Sequence, residues 1–361
     1  MRATAAVLRE PQGPFIIEPI TLLEPGPGEI ALRVAGVGLC HTDLLPRVAP
    51  GIPMPIVCGH EGSGVITAVG SGVTELAVGD HVVLSFDSCG ACRSCATDRP
   101  AYCTTFFPRN LSGRRIDGST SAEDAAGQPV SARWFGQSSF ATYAVAEARN
   151  AVKVDDDLPL ELLGPLGCGF QTGAGAVLNS LAVQPDSSLV VLGVGAVGMA
   201  AILAARIAGA RTIVAVDRNP DRLELAVKHG ATHTFDGILG DLGKQLRRAT
   251  GGADYALDTT GVPEVISAAI NALNPVGVCG LVGAQRGDLT IDPMQLAVGR
   301  TIKGIVEGDA VPRRFIPRLI EYWRRGDFPF DEFIRTYPLS EINDAERALH
   351  RGSVIKAVLI P

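Results

Sequence analysis

Cysteines, histidines and ordered glycines carry the chemistry that can be read from this chain. Cys89, Cys92, Cys95 and Cys103 fall within fifteen residues, at intervals of 3, 3 and 8. Zinc takes four soft ligands in a tetrahedron with metal–sulfur bonds of about 2.3 Å, and closely spaced cysteines on a folded loop supply them. Four thiolates leave no open position, so zinc held there is structural. A redox pair or an iron–sulfur cluster is the competing reading, although the usual cluster spacings differ. A second candidate begins at His60 and Glu61, a possible metal ligand beside a carboxylate, flanked by Gly59, Gly62 and Gly64. Glycines let a backbone turn sharply and approach other groups closely. A lone histidine is more often a satisfied or exposed side chain than a ligand. What raises His60 above that is Cys40, twenty residues earlier, and Cys168, far downstream, each in its own glycine-rich setting. The three are candidates to share one zinc.

A third signature concerns a nucleotide. The apolar run Ser188–Leu192 leads into Gly193, Gly195 and Gly198, then an alanine-rich stretch to Ala208, then Thr212–Val216 ending in Asp217. Strand, glycine turn, helix, strand and acid form the dinucleotide-binding pattern. The first glycine makes the turn, the second admits the pyrophosphate, and the third packs helix on strand. The free N–H groups of the helix start favour phosphate. Asp217 can accept from both ribose hydroxyls and repels a 2′-phosphate, which points to NAD. Arg218 and Arg222 keep NADP open, since arginine there can accept a phosphate.

The elements that must position these residues divide the chain. Up to about residue 155 it reads as short strands with frequent turns, a small barrel; Ala5–Leu8, Ile30–Val34, Val65–Val69, Gly79–Leu84 and Phe140–Val145 are the strands. Residues 104–136 form a polar insert in which Arg114 and Arg115 are expected at the surface. Trp134 and Phe135 close it, a pair more often core than pocket when taken alone. Repeated strand–helix units from Ser188 to Val306 argue a doubly wound parallel sheet. Helices at Val311–Arg325 and from Ser340, a possible cap, and a strand at Val354–Leu359 are expected to return to the first domain. The 361 residues, 46% hydrophobic and 19% charged with net charge −6, describe a globular chain of two domains. No basic stripe supports nucleic-acid binding. No stretch of about 18 uncharged apolar residues supports a membrane span, and the N-terminus does not read as a signal peptide. A cytoplasmic protein whose cysteines serve metal or catalysis is the expectation.

Together these segments resemble the zinc-dependent medium-chain alcohol dehydrogenases along essentially the full chain. The resemblance rests on Cys40 to Asp43, Gly59 to Gly62, the four-cysteine lobe, Cys168 to Phe170 and the glycine triplet. The runs Asn110–Ser119, Gly169–Ala176 and Glu307–Asp309 look most like the bacterial aryl- and benzyl-alcohol enzymes and their terpene-alcohol relatives. The resemblance implies an α/β fold: a doubly wound Rossmann sheet over 170–306, and a mostly β, barrel-like GroES-like catalytic domain over 1–169 and 307–361. It implies two zinc ions per chain, the catalytic one on Cys40, His60 and Cys168. Glu61 is then the carboxylate beside the metal, Asp43 the acid that orients His60, and Thr42 the hydroxyl on the substrate oxygen. Cofactor contacts are implied for His41, Thr172, Val197, Val282 and Lys356 besides the glycine loop, and pocket positions for Phe86, Trp134, Phe135 and Val306. Leu45 stands where animal liver members carry a proton-relaying histidine, and His41 where they carry an arginine for the pyrophosphate.

The reaction implied is NAD-dependent oxidation of a flat apolar primary alcohol, aryl or allylic, to the aldehyde. Short aliphatic alcohols or a glutathione–formaldehyde adduct are the alternative substrates, the adduct needing cationic pocket residues. A quinone reductase or redox sensor on the same scaffold is a remote alternative, because its zinc-free relatives lack the ligands present here. A homodimer or homotetramer acting on a small-molecule alcohol is expected.

Overall fold

The first sheet is built on Glu29–Leu39, an eleven-residue strand of alternating small and branched apolar side chains. It pairs antiparallel with Glu61–Val69, with Tyr143–Glu147 and, from the far end of the chain, with Lys356–Ile360. The sheet runs in the order Ala151–Val154, His81–Leu84, Glu61–Val69, Glu29–Leu39, Lys356–Ile360, Ile334–Pro338, with Tyr143–Glu147 off that path. A five-stranded antiparallel sheet adds Ile56–Val57, Arg2–Leu8, Phe15–Leu22, Ala122–Asp124 and Pro129–Val130. The computed structural model describes residues 1–237 and 240–361. They form two compact units, one of Met1–Cys168, Val311–Leu319 and Asp331–Pro361, and another of Gly169–Ala310 and Ile320–Phe330.

Three features depart from the sequence expectation. The strand after His60 starts at Glu61, so Gly62 and Gly64 lie inside a strand rather than in a turn. A β-carbon on Gly62 would come within 2.2 Å of Ser139 Oγ, so the glycine serves a close approach. Gly59 does require its glycine conformation, with φ +89°. Phe15–Leu22 is a strand that Pro19 obscures; pairing with Ala122–Asp124 starts only at Ile20, so no ladder bond is asked of the proline. Ser340 is not a cap: it lies in the 3₁₀ turn Leu339–Glu341, and the helix begins at Ile342 with Glu341 at its cap.

The second unit holds a six-stranded, wholly parallel sheet ordered His233–Asp236, Thr212–Asp217, Ser188–Leu192, Ala253–Asp258, Leu273–Leu281, Thr301–Gly304. Counted along the chain this is order 3-2-1-4-5-6, the doubly wound arrangement whose topological switch lies beside its first strand. Ser188–Leu192 is buried throughout, which explains a continuous apolar run instead of alternation. Val190, Leu192, Val214, Ile266 and Ile270 form part of the core under the sheet. Among the described residues no helix is long and apolar enough to cross a membrane.

Candidate active site

Cys40 ends the strand Glu29–Leu39 and opens the 3₁₀ turn His41–Arg47. That turn carries Thr42 and Asp43. Asp43 is wholly buried and every bond it makes is directed at the site. Its Oδ1 accepts from His60 Nδ1 at 2.7 Å and from the Gly59 N–H at 2.9 Å, and its Oδ2 accepts from the Cys40 N–H at 3.1 Å. One carboxylate therefore fixes both the turn bearing Cys40 and the ring of His60. Gln137 holds the other side, donating to the His60 carbonyl at 2.9 Å and accepting from the Gly62 N–H at 3.1 Å.

The result is a cluster in which ligand atoms of Cys40, His60, Glu61 and Cys168 all lie within 4.8 Å of one another. His60 Nε2 is buried and has no hydrogen-bond partner. A buried polar atom left unpaired is costly, and a bound cation is one way to satisfy it. Two sulfurs and that nitrogen are the donor set of an open zinc site. Cys40 is held well below the usual thiol range, first by its hydrogen bond from Cys168 and then by His60, which suits a metal-binding thiolate. Thr42 Oγ1 lies 3.8 Å from Cys40 Sγ. Burial pushes the Glu61 carboxyl up against the pull of Lys356.

Lys356 is not where a cofactor contact was expected. It is 2% exposed, and its ammonium donates to both Glu61 oxygens at 2.9 Å and to the Leu39 carbonyl at 3.3 Å. All three of its donors are used, leaving none for a phosphate.

The expected pocket aromatics gather above the histidine. The Phe135 ring stacks on His60 with centroids 4.3 Å apart and planes at 24°. Phe106, which sequence reasoning missed, touches both Phe86, at 5.7 Å, and Phe135, at 6.4 Å. Trp134 adds an edge contact to Phe135 at 5.8 Å. Phe106 opens the short helix Phe106–Asn110 directly after the cysteine lobe, and that position was its only signal. His41 is exposed, its ring 6.2 Å from that of His350.

The four-cysteine lobe is also assembled. Cys89 and Cys92 sulfurs lie 3.9 and 3.5 Å from that of Cys95, close to the roughly 3.8 Å edge of a tetrahedron with 2.3 Å bonds. The N–H groups of Cys95 and then Thr104 bring the Cys92 thiol down to about 5.

In the second unit the three glycines separate into three roles. Gly193 has φ +83°, and a β-carbon there would lie 2.5 Å from Thr259 Oγ1. A β-carbon on Gly195 would meet nothing nearer than Arg222 Nη1 at 4.0 Å, so the loop presents open backbone. One on Gly198 would lie 2.0 Å from the Gly193 carbonyl. Gly198→Ala is therefore expected to lower Tm by about 3 °C or more, the effect of roughly 1–3 kcal/mol of overpacking. Gly195→Ala should melt with the wild type, and equal losses in both variants would contradict the assignment. Asp217 ends its strand with its carboxylate on this loop, accepting from the Val194 N–H at 2.8 Å and the Asn219 N–H at 2.9 Å. Arg222 Nη1 is 4.0 Å from Asp217, Arg218 is exposed, and Val197 lies in the first turn of the helix Ala196–Ala208. Val282 follows the strand Leu273–Leu281 and donates to the Asp258 carbonyl. Thr172 Oγ1 lies 3.4 Å from Glu307, the residue after Val306, and Glu307 is held at φ +51°.

Comparison with known proteins agrees with this arrangement. Residues 26–156 match the alcohol dehydrogenase GroES-like domain and residues 196–322 the zinc-binding dehydrogenase family. A geraniol dehydrogenase from Castellaniella defragrans is 49% identical across 99% of this chain and 97% of its own. The crystal structure of benzyl alcohol dehydrogenase from Acinetobacter calcoaceticus superposes with TM-score 0.95 at 42% identity, covering 100% of this chain and 99% of that one. An alcohol dehydrogenase zinc-binding domain protein from Burkholderia ambifaria superposes with TM-score 0.97 at 50% identity, with the same coverage. Identity at this level over nearly the whole of both chains leaves the assignment plain: the chain belongs to the zinc-dependent medium-chain alcohol dehydrogenase family.

Proposed function

We propose that this alcohol dehydrogenase oxidises aryl and allylic primary alcohols, benzyl alcohol and geraniol among them, to aldehydes, reversibly and with NAD. The observation that carries the substrate class is an aromatic wall built outward from His60: Phe135 stacks on it, Phe106 and Trp134 pack on Phe135, and Phe86 packs on Phe106. Such a wall favours a flat apolar alcohol over a polyol or a charged adduct. Relatives named for geraniol and benzyl alcohol support the same reading.

Cys40, His60 and Cys168 would hold the catalytic zinc, and Cys89, Cys92, Cys95 and Cys103 a structural one. Zinc bound by the first set supplies a Lewis acid that makes an alcohol several pKa units more acidic, and NAD supplies the hydride acceptor. Asp43 keeps Nε2 of His60 turned into the site. Thr42 would hydrogen-bond the substrate oxygen and take its proton. Leu45 cannot pass that proton on. The N–H groups from Gly193 to Gly198 would bind the pyrophosphate, Val282 and Thr172 the nicotinamide end, and Asp217 the ribose hydroxyls. Exposed apolar side chains near the edge strand Thr301–Gly304, Val276 at 76% and Met294 at 73% exposed, support self-association.

Steady-state comparison of benzyl alcohol, geraniol, ethanol and S-hydroxymethylglutathione tests the reading. The first two should exceed ethanol at least tenfold in kcat/KM with NAD. Equal or better values for ethanol or the adduct would overturn it. Metal analysis should return two zinc ions per chain and one in Cys92→Ser.

A further inference from the structure

Asp43 aligns Cys40 with His60, and all three of its bonds go to those two segments. The second sulfur arrives from elsewhere. Cys168 follows the 3₁₀ turn Gly164–Gly167, which lies outside the sheets. Its ligand atom nevertheless comes within 4.8 Å of those of Cys40 and His60. A metal site needs its ligands held in place by the groups behind them, so some contact must set this turn against the histidine.

Two glycines bring the turn close. A β-carbon on Gly164 would lie 2.0 Å from the Glu61 carbonyl oxygen, and one on Gly167 would lie 1.9 Å from that of Leu84. The turn therefore rests on two paired strands, Glu61–Val69 and His81–Leu84. Close packing sets the separation but permits sliding, whereas hydrogen bonds are directional and fix position. Ser85, directly after the second strand and 0% exposed, donates from Oγ to the Gly167 carbonyl at 2.6 Å, one residue before Cys168. The Ser85 carbonyl in turn accepts from Gln137 Nε2 at 3.2 Å. The same amide donates to the His60 carbonyl at 2.9 Å, and its Oε1 accepts from the Gly62 N–H at 3.1 Å and from Ser139 Oγ at 2.8 Å. Two donors and two lone pairs are all that a primary amide has. Gln137 is 0% exposed with all four in use, so its orientation is fixed. A chain of side-chain bonds thus runs from the His60 carbonyl through Gln137 and Ser85 to the Gly167 carbonyl.

We propose that Ser85 and Gln137 are positioning residues that set Cys168 against His60 and so preorganise the zinc site. The inference rests on the reading of Cys40, His60 and Cys168 as the catalytic zinc ligands. Both residues act through the backbone beside those ligands. Ser63 provides a matched control. It is 0% exposed, and its Oγ donates to the Leu160 carbonyl at 2.6 Å, a bond of the same length and chemistry. It holds the helix Leu160–Leu163 and not the end of the turn that carries Cys168.

The test is zinc release to a chelator from the full-length, zinc-replete protein, with thermal melts and alcohol oxidation followed in parallel. Ser85→Ala is expected to release one zinc about 10- to 100-fold faster than the wild type, with activity lost in step, while the other zinc leaves at its usual rate. Ser63→Ala should lose a similar amount of melting temperature, since it also strips a buried carbonyl of its donor, yet release both ions as the wild type does. Gln137→Met cuts the chain one link earlier and should speed release of the same ion. Combined with Ser85→Ala it should be no faster than the quicker single variant, as expected of two links in one chain. Ser85→Ala removes a single hydroxyl and decides the question even where Gln137→Met does not fold. Unchanged release in Ser85→Ala, or equal acceleration in Ser63→Ala, would reduce Ser85 to core packing and overturn the proposal. Faster loss of an ion whose departure leaves activity intact would assign Ser85 to the cysteine lobe that begins four residues later, and would overturn it as well. Additive effects in the double variant would remove Gln137 from the chain. A wild type that yields one zinc per chain and keeps its activity throughout chelation would overturn the zinc reading itself, and the proposal with it.

Discussion

Replacing Asp43 by Ala is expected to destabilise the protein by about 3–5 kcal/mol and to loosen zinc at the buried site by about 10- to 100-fold. The substitution leaves His60 Nδ1, the Gly59 N–H and the Cys40 N–H without their acceptor, all on a side chain with 0% exposure. Each orphaned buried donor costs about 1–3 kcal/mol, and removing one member of a buried charged pair falls at the upper end. The imidazole also loses the contact that sets its tautomer and aims Nε2, so both the metal affinity and the fold depend on one carboxylate. Asp43→Asn separates the two effects. Its oxygen can still accept from His60 and Gly59, while its amide faces the Cys40 N–H, donor against donor. It should therefore melt between the wild type and the alanine variant and release zinc clearly more slowly than the latter, because the acceptor that aims His60 is kept. Thermal melts and zinc release to a chelator check this. A melting point within 2 °C of wild type for Asp43→Ala, or an unchanged release rate, would remove Asp43 from the support of the site.

What could be read from the sequence was mostly local chemistry. The four-cysteine lobe and the glycine triplet are short, contiguous and set by spacing, so neighbouring residues announce them. The catalytic cluster was legible from the residues only as a candidate, and the resemblance gave it its roles, because Cys40, His60 and Cys168 come from three separate segments of the chain. Pairings at long range left no trace. Arg115 reads as a solvated charge in a polar insert, yet it closes on Glu29 across 86 residues. Lys356 reads as one cation near a C-terminal strand, yet it enters the site across 295 residues. Gly38 gives a retrospective clue. A β-carbon there would lie 1.9 Å from Glu61 Oε2, so the glycine keeps space for a buried ion pair that no periodicity could reveal. For Gly62 and Gly64 the sequence left a turn and a close approach both open, and only the strand pairing decides for close approach.

That pair supplies the second large effect. Lys356→Met should destabilise the protein by about 3–5 kcal/mol at neutral pH, since it leaves Glu61, which is 0% exposed, as an uncompensated buried carboxylate beside the Cys40 thiolate. The pH dependence follows from the direction of the shifts. Burial raises the Glu61 carboxyl in the folded state, and losing Lys356 raises it further. A carboxyl raised on folding contributes most at low pH, and that contribution is lost as pH rises from its unfolded value near 4.3 through its folded one. The variant should therefore approach wild-type stability near pH 4.5 and fall furthest behind above it. In the wild type, burial lowers the Lys356 ammonium but Glu61 and Cys40 raise it beyond the ordinary lysine range. Its contribution is complete below the unfolded lysine value near 10.4 and is lost only above it, which fixes the upper edge of the window. Lys356→Arg keeps the charge and should retain most of the stability. Glu61→Gln with Lys356→Met removes both charges at once, and should recover to within about 1 kcal/mol of wild type if the loss comes from an unpaired charge. Denaturant melts of these four proteins and of Glu61→Gln alone between pH 4.5 and 9 close the cycle and give the coupling energy. A pH-independent deficit in Lys356→Met, unrelieved by Glu61→Gln, would mean that lysine packing and not the ion pair holds this part of the site.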